Sequence, residues 1–243
     1  MKKVQVLMST MNIQNKKEFE KQIVDCNIKN DVIIVNQTKN KIEKIEIENK
    51  KMYSYQENGA SNSRNRLLEL ANGEICIFAD NDMKFVDDYE NIIRNVYKKN
   101  PKADGILFYV ENTNRNREEN KKIGNKKLNK IDIMRARIYE LTLKKETINK
   151  IKEKGIKFDT DIGPGTKILK GEETVFLSEL LNNNFKIYSV NEEIGTVGDN
   201  DSSWFTGYNE KYLQDQGVIF YKVFTKYYKI IILQYIIRKY KLY

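Results

Sequence analysis

Short apolar runs alternate with helix-patterned segments through the first half of the chain. Residues 4–8, 31–35 and 75–79 are mostly apolar, and the second run is rich in β-branched side chains, which pack well on a pleated sheet, so all three predict strands. Between the first two runs, Phe19 and Ile23 recur at helical spacing. Strands that alternate with helices form a mostly parallel sheet with helices on both faces. We therefore predict an α/β fold.

The remaining elements follow from the same two periodicities. Further strands are predicted at residues 52–55, 105–109, 138–143 and 185–190. Helices are predicted over residues 16–27, from an N-cap at Ser61 or Ser63 to Gly73, over 87–99, over 146–154 and from Glu172 onward. Residues 112–130 are dense in Asn, Lys and Arg, and we expect a solvated loop there because few apolar side chains offset its ordering entropy.

The sequence contains no histidine, and this absence excludes several kinds of active site. Ser-His-Asp and Cys-His hydrolases and His-ligated zinc centres all require the imidazole. Any acid–base chemistry must therefore be done by carboxylates, Lys, Tyr or Cys. The two cysteines, Cys26 and Cys76, lie in apolar segments, so we expect both thiols to be buried and reduced.

The chain carries 43 basic and 34 acidic side chains, a formal net charge of +9. This surplus suggests a polyanionic partner. Only eight of the basic residues are arginine, however, and specific recognition of phosphates and bases relies largely on the guanidinium. We therefore expect no nucleic-acid partner. A non-catalytic basic protein that binds RNA or an anionic membrane remains the alternative to an enzyme.

Two carboxylates follow the strongest predicted strand, residues 75–79. They belong to the triplet Asp80-Asn81-Asp82. Ligands of open α/β sheets bind at the carboxyl ends of the strands, so both carboxylates are expected at the ligand-binding edge. Such a pair can hold a hard divalent cation and leave coordination positions open for a diphosphate. The alternative is a turn in which these side chains cap the following helix.

Gly171-Glu172-Glu173 opens a predicted helix behind a loop of small residues, 161–171. Acidic side chains in the first turn of a helix offset its dipole, which is one explanation for the pair. The other is that one glutamate acts as a general base and takes a proton from an acceptor hydroxyl. The spacing alone does not separate these two interpretations.

Two blocks of the chain resemble inverting family 2 glycosyltransferases. Residues 58–66 (NGASNSRNR), 70–75 (LANGEI) and 78–82 (FADND) are similar to the family's N-x-G…A-R-N-x-G…A-x-G-E-Y-I-x-F-x-D-x-D signature. The second block resembles the family's F-D…G-x-G…G-E-D stretch, and comprises Phe158-Asp159, Gly163, Gly165-Thr166 and Gly171-Glu172-Glu173. Counted with the first strand, these similarities extend from residue 4 to about residue 190.

The resemblance implies a GT-A fold, in which a single α/β domain has a nucleotide-sugar half and an acceptor half. It implies that Asp80 and Asp82 hold Mn²⁺ or Mg²⁺ and that Glu173 is the catalytic base of a single inverting displacement. The implied donor-binding residues are Ser9, Thr10, Asn12, Asn36, Arg64, Asn65 and Asp80. The implied acceptor-binding residues are Gly165, Thr166, Glu172 and Trp204. The donor is expected to be a nucleotide sugar of the UDP type, and the acceptor a glycan or a lipid-linked molecule.

The sequence departs from the family pattern at three places. Asn36 stands where the family has an Asp-rich segment that contacts the base, and Glu173 stands where it usually has Asp. Related bacterial enzymes often place a His ahead of a Ser-x-Trp segment as a further ligand. Here the segment ending at Trp204 has none, and Asp201 is the nearest substitute. Residues 204–212 resemble a tail motif of capsule and exopolysaccharide glycosyltransferases of Gram-positive bacteria, which implies a role in cell-surface polysaccharide biosynthesis.

Residues 217–243 contain no acidic side chain, and their lysines are interleaved with Tyr, Phe, Ile and Leu. The longest apolar run, residues 230–233, is far shorter than the ~20 residues needed to span a bilayer. We predict a GT-A domain over 1–216 and an amphipathic basic helix over 217–243 that lies on an anionic inner leaflet. The alternative is a helix packed on the domain with its lysines in water.

The predicted location of the protein is the cytoplasm. The apolar run at residues 4–8 is too short for the core of a signal peptide, so we expect no export. Peripheral contact of the tail with the cytoplasmic face of the cell membrane would suit a lipid-linked acceptor.

Overall fold

The computed structural model describes residues 3–40, 44–114, 122–198 and 209–239. The strands are β1 Val4–Met11, β2 Asp31–Gln37, β3 Ile45–Ile47, β4 Lys50–Tyr55, β5 Ile75–Asp80, β6 Met83–Phe85, β7 Gly105–Asn112, β8 Lys126–Lys127, β9 Leu141–Lys144 and β10 Ile187–Val197. The helices are α1 Lys16–Asp25, α2 Ala60–Leu70, α3 Tyr89–Lys99, α4 Lys145–Glu153, α5 Glu172–Asn182, α6 Glu210–Phe224 and α7 Tyr228–Lys239. Two short 3₁₀ helices occupy Asp132–Arg135 and Ile138–Glu140.

These strands form one sheet, which has ten members within the described residues. Its order is β3-β4-β2-β1-β5-β9-β7-β10-β6, and β8 pairs with β10 off this path. The long ladders β4-β2-β1-β5 and β7-β10 are parallel, whereas β9 runs antiparallel to both of its neighbours, β5 and β7. The predicted α/β fold with a mostly parallel sheet flanked by helices is confirmed.

Two apolar layers cover the sheet, one on each face. Successive side chains of a strand point to opposite faces, so Val6 and Leu7 of β1 enter different layers. The same alternation separates Ile77 from Phe78 on β5. Helices α1 and α3 pack on the first face, and α2, α4 and α5 on the second. Cys26 and Cys76 are buried free thiols, as expected.

Helix α2 begins earlier than the sequence predicts. It follows Gly59, whose φ of +94° places it in a region that favours glycine, and neither predicted cap residue caps the helix. Instead the hydroxyl of Ser61 donates to the carbonyl of Ile162, 2.6 Å away. The helix ends at Leu70, three residues before the predicted stop at Gly73. A contact with a distant loop therefore replaces the local cap.

The strand predicted over 138–143 is wrong for residues 138–140 and confirmed for residues 141–143. Residues Ile138–Glu140 form a 3₁₀ turn, and pairing with β5 and β7 begins only at Leu141. Strands β3, β6 and β8 were not predicted, because two or three residues are too few to show a period in sequence. β8 lies within the expected loop 112–130, and Leu128 beside it is buried. Residues 115–121 of that loop lie outside the described residues.

The tail forms two helices rather than one. The expected boundary between residues 216 and 217 falls inside α6, whose apolar side chains Ile219 and Val223 are buried against the domain. A turn at Thr225, with φ of +35°, then leads into α7. Within the ranges given above, no helix combines the length and the apolar content that crossing a bilayer requires.

Candidate active site

The ends of β1, β2 and β5 bring most of the predicted donor residues to one edge of the sheet. Asp80 is the last residue of β5 and pairs in register with Ser9 on β1. Thr10 pairs with Asn36 on β2 in the same way. Because these three strands are parallel, their carboxyl ends coincide. Asp82 lies just beyond, in the turn between β5 and β6.

The negative charge of Asp80 raises the affinity of its neighbour Asp82 for a proton or a cation. Burial and the neighbouring charge of Asp80 raise the pKa of Asp82 to about 6. Burial also raises the pKa of Asp80, and the guanidinium of Arg64 opposes that rise. A divalent cation relieves this repulsion, so the donor set fits such an ion. Among the described residues, no group of three or more His, Cys, Asp and Glu side chains is arranged to hold a metal.

Arg64 joins this edge to the start of α5. Its side chain projects from α2, is only 6% exposed and forms an ion pair with the buried carboxylate of Glu172. A second guanidinium nitrogen, Nη2, lies 3.6 Å from Oδ1 of Asp80. Breaking a buried ion pair by removing one partner costs several kcal/mol, because the other charge is left without compensation. Arg64 therefore fixes the strand that carries Asp80 relative to the helix that begins at Glu172.

The two glutamates of α5 have different surroundings. Glu172 is buried, and Gly163 approaches it so closely that a Cβ there would lie 3.1 Å from Glu172 Cδ. Its carboxylate is used by Arg64, so the structure places this predicted acceptor residue in an ion pair instead of the cleft. Glu173 is half-buried and lines a cleft. Burial and the charge of Glu172 raise the pKa of Glu173 well above its ordinary value, although Arg64 opposes the rise.

The cleft beside Glu173 has a volume of about 330 Å³. The rest of its wall includes Tyr109 on β7, Ser189 on β10, Arg137 between the two 3₁₀ helices, and Lys122. Lys122 Nζ lies 4.3 Å from the centre of the Tyr109 ring, and Arg137 Nη1 lies 3.7 Å from Glu140 Oε1. A partly buried carboxyl at the wall of a polar cleft can accept a proton from a bound hydroxyl.

Gly165 and Thr166 shape the loop in front of α5. Gly165 has a φ of +86°, and a Cβ there would lie 3.3 Å from the backbone of Gly59. The hydroxyl of Thr166 lies within 3.1 Å of the carbonyl oxygens of Asp161, Gly163 and Ile168. These two predicted acceptor residues are therefore engaged in packing the loop against the start of α2.

Two predicted donor residues use their amides on the backbone. The Asn36 amide donates to the carbonyl of Ile13 (2.8 Å) and accepts from its N–H (3.0 Å), and Asn36 is fully buried. Asn65 makes the same double contact with Phe158, at 2.9 and 2.8 Å. Both side chains hold loops that border the site. Asn12, with φ of +61°, is exposed just beyond β1.

Other residues of the site were missed by sequence reasoning. Tyr109, Lys122 and Arg137 come from three separate segments, and no local pattern marks them as neighbours of Glu173. Asp215 of α6 lies outside the cleft but contacts the loop before α5, a pairing across more than forty residues for which the sequence holds no signal. Trp204 and Asp201 lie outside the described residues.

Comparison with known proteins adds a fold but no sequence family. No family model and no curated protein matches the chain. Among solved structures, S. aureus TarS residues 1–349 in complex with UDP-GlcNAc is similar with a TM-score of 0.64 and 16% identity. That similarity covers 90% of this chain and 66% of the TarS fragment.

Two further structures are similar. Longer S. aureus TarS gives a TM-score of 0.59 at 15% identity, over 90% of this chain and 39% of that chain. A mannosyltransferase from Pyrobaculum calidifontis in complex with GDP-Man and Mn²⁺ gives 0.51 at 12% identity, over 92% of this chain and 63% of its own. This chain covers less than two thirds of the length of each of these solved chains: 66% of the TarS fragment, 39% of the longer TarS and 63% of the mannosyltransferase. At such low identity the likeness concerns the fold alone, which this chain shares with TarS and the mannosyltransferase.

Proposed function

We propose that the chain is a metal-dependent glycosyltransferase that moves a sugar from a nucleotide-sugar donor, of the UDP type, to a hydroxyl of a glycan or lipid-linked acceptor. The proposal includes inversion at the sugar carbon and a role in cell-surface polysaccharide assembly. One observation carries the proposal. The sheet edge at the carboxyl ends of β1, β2 and β5, here named the Asp80 edge, suits a diphosphate and its cation. Arg64 connects this edge to the helix whose Glu173 faces a cleft. The nucleotide sugars bound by TarS and the mannosyltransferase support a nucleotide-sugar donor, and the UDP-GlcNAc bound by TarS supports the UDP type.

On the donor side, Asp80 and Asp82 would hold Mn²⁺ or Mg²⁺. The ion would supply positive charge where negative charge develops on the leaving diphosphate. Ser9 and Thr10 lie at the end of β1 beside Asp80, where the nucleoside would meet the strand ends. Arg64 holds the side chain of Asp80 in place through their ion pair. The positive charge of Arg64 also favours the ionised form of that carboxylate.

On the acceptor side, Glu173 would take the proton from the attacking hydroxyl. The raised pKa of Glu173 lies closer to neutral pH than that of an ordinary glutamate. The carboxylate of Glu173 is therefore the stronger base of the two. The acceptor oxygen then forms a bond to the sugar carbon while the bond from that carbon to the diphosphate breaks. One such in-line displacement inverts the configuration at the carbon, and the proton remains on Glu173 until it passes to solvent.

We also propose that α7 contacts an anionic membrane surface. Its exposed face carries Ile230, Leu233 and Ile237, each at least 60% exposed and spaced by three and four residues. Lys229 and Arg238 are exposed on the same helix, which contains no acidic residue. An apolar stripe flanked by cations fits the boundary between headgroups and acyl chains. Membrane contact of this kind would suit a lipid-linked acceptor.

A panel of nucleotide sugars, assayed for binding and transfer with and without Mn²⁺ or Mg²⁺, tests the enzymatic proposal. We expect metal-dependent binding of one donor, loss of that dependence in Asp82→Asn, and retained binding without transfer in Glu173→Gln. Asp88→Asn, which changes an exposed acid just before α3, serves as the matched control. Wild-type transfer by both site variants would contradict the assigned roles. Salt-sensitive RNA binding without any metal-dependent donor binding would favour the non-catalytic alternative.

Vesicle sedimentation tests the membrane contact. The intact protein should bind vesicles rich in phosphatidylglycerol and not vesicles of phosphatidylcholine alone, and salt should weaken the binding. The double variant Ile230→Gln/Leu233→Gln should lose it. Val24→Gln, which changes an equally exposed apolar residue on α1, should not. Equal binding by all three proteins would rule out α7 as the contact surface.

A further inference from the structure

Helix α6 contacts three consecutive residues, 169–171, of the segment that precedes Glu173. The segment 169–171 is irregular, since it links the small-residue loop to α5. It has few backbone partners of its own, so side chains from elsewhere decide its position. The contacts described below all come from one face of α6.

Asp215 makes the first contact. This carboxylate is 3% exposed, and its Oδ2 accepts a hydrogen bond from the backbone N–H of Leu169 at 3.1 Å. Its other oxygen, Oδ1, forms an ion pair with Lys211 one turn earlier on α6. Lys211 in turn donates to the carbonyl of Lys167, 2.5 Å away. A buried carboxylate with both oxygens occupied is a stiff connection between helix and loop.

Gln216 and Tyr212 make the second contact. The ammonium of Lys170 donates to Gln216 Oε1 at 2.9 Å and lies 3.0 Å from the centre of the Tyr212 ring. Burial lowers the pKa of Lys170 to about 7, although the charges of Asp215 and Glu173 oppose the fall. The charge of Lys170 therefore interacts with both the α6 carboxylate and the candidate base.

Ile219 makes the third contact. Its side chain fills the space beside Gly171, where a Cβ would lie only 2.4 Å from Ile219 Cδ1. Gly171 has a φ of +90°, so a side chain there would be both strained and obstructed. Further along, Lys222 Nζ pairs with Asp159 Oδ2 at 2.7 Å, at the other end of the loop.

We propose that α6 is a latch that sets the position of Glu173, and that Asp215 is its main positioning residue. This inference rests on the proposed role of Glu173 as the base. Asp215 touches neither the cleft nor the Asp80 edge, so its effect would pass through the backbone of residues 169–171. A displacement of about 1 Å at a reacting group can cost on the order of 10²-fold in rate.

The latch predicts a particular pattern in steady-state kinetics. Asp215→Ala should lower kcat by about 10²-fold and leave the donor KM nearly unchanged, because the Asp80 edge does not move. Asp215→Asn keeps an oxygen that can accept from Leu169, so it should restore most of the lost kcat. The matched control is Glu90→Ala, which truncates another buried helix acid paired at i,i+4, here with Arg94 on α3. Its kcat should stay near that of the wild type.

Hydrogen exchange separates the latch from the proposed function. In Asp215→Ala, amide exchange in residues 169–175 should rise at least tenfold relative to wild type, whereas Glu90→Ala should leave that segment protected. This readout needs no activity, so a protein without transfer would refute the function while the latch is still tested. Should Asp215→Ala fail to fold, Lys170→Met serves as the second variant and is expected to raise exchange at the same residues. Unchanged exchange at 169–175, or an equal loss of kcat in Glu90→Ala, would overturn the proposal.

Discussion

The two halves of the candidate site are built in different ways. Asp80 ends a strand that is hydrogen-bonded along its length to β1, and the register of that ladder fixes its position. Glu173 begins a helix behind an irregular loop, and side chains hold that loop: Ser61 and Thr166 on one side, Asp215 on the other. The first half depends on backbone hydrogen bonds, whereas the second depends on the identity of particular side chains.

This difference concerns tolerance to substitution. A backbone ladder survives most changes of side chain, because each residue brings its own N–H and C=O. A position held by buried polar side chains is lost when one partner is removed. Single substitutions should therefore have larger effects in the acceptor half than in the donor half. Because Arg64 contacts both Asp80 and Glu172, its substitution should affect both halves.

The largest expected effect is that of Glu173→Gln. Removing the base should reduce sugar transfer by roughly 10³-fold while donor binding is retained, because the Asp80 edge is unchanged. Transfer kinetics and calorimetric donor binding measure the two effects. Glu179→Gln, an exposed glutamate farther along α5, is the control and should behave as the wild type. A joint loss of donor binding would show that the halves are less independent than their construction indicates.

Arg64→Met comes next. It leaves the carboxylate of Glu172 buried without its partner, which should lower the free energy of unfolding by about 3 kcal/mol. Urea denaturation measures this loss. Arg66→Met, two residues along α2 and 42% exposed in its side chain, should change the free energy of unfolding by less than about 1 kcal/mol. Similar values for both variants would mean that Arg64 does not bridge the two halves.

The pH dependence of transfer reports on the acceptor half, through the ionisation of Glu173. Transfer needs ionised Glu173, whose pKa is raised, so the rate should fall about tenfold per pH unit below a midpoint higher than that of an ordinary glutamate. The midpoint is read from kcat in the presence of saturating donor and metal. A midpoint near the ordinary glutamate pKa would contradict the burial of this carboxyl.

Ser9→Ala should have the smallest effect. Ser9 lies on the β1 edge beside Asp80, and its backbone keeps its ladder partners when the hydroxyl is removed. The free energy of unfolding should therefore stay within about 0.5 kcal/mol of the wild type. Thermal unfolding checks this. A loss above about 1 kcal/mol would show that the donor half also depends on side-chain contacts.

The sheet was predictable because its central strands are visible in the sequence as short apolar runs. The runs at 4–8, 31–35 and 75–79 are buried on both faces, so their apolar character is nearly continuous. The acidic triplet after the last of them follows from the direction of the strand. Short edge strands such as β6 were not predictable, because they exist only through pairing with β10.

The distinction between Glu172 and Glu173 could not be drawn from spacing. Both lie in the first turn of α5, and only the position of Arg64, 108 residues earlier, decides which carboxylate is used internally. The capping of α2 failed for the same reason, since Ser61 bonds to Ile162 across the fold. Contacts of this kind depend on tertiary structure, and a single sequence does not contain them in local form.

The antiparallel strand β9 joins the two parallel parts of the sheet, and its place in the chain matters during synthesis. β5 and β7 are both translated before β9, which alone among the described strands pairs with each of them. A nascent chain that has not yet reached residue 144 therefore presents one open edge of β5, an apolar strand that could pair with a neighbouring polypeptide. About sixty residues separate the end of β5 from β9, so this edge stays open, and the growing chain needs protection from aggregation, throughout that interval.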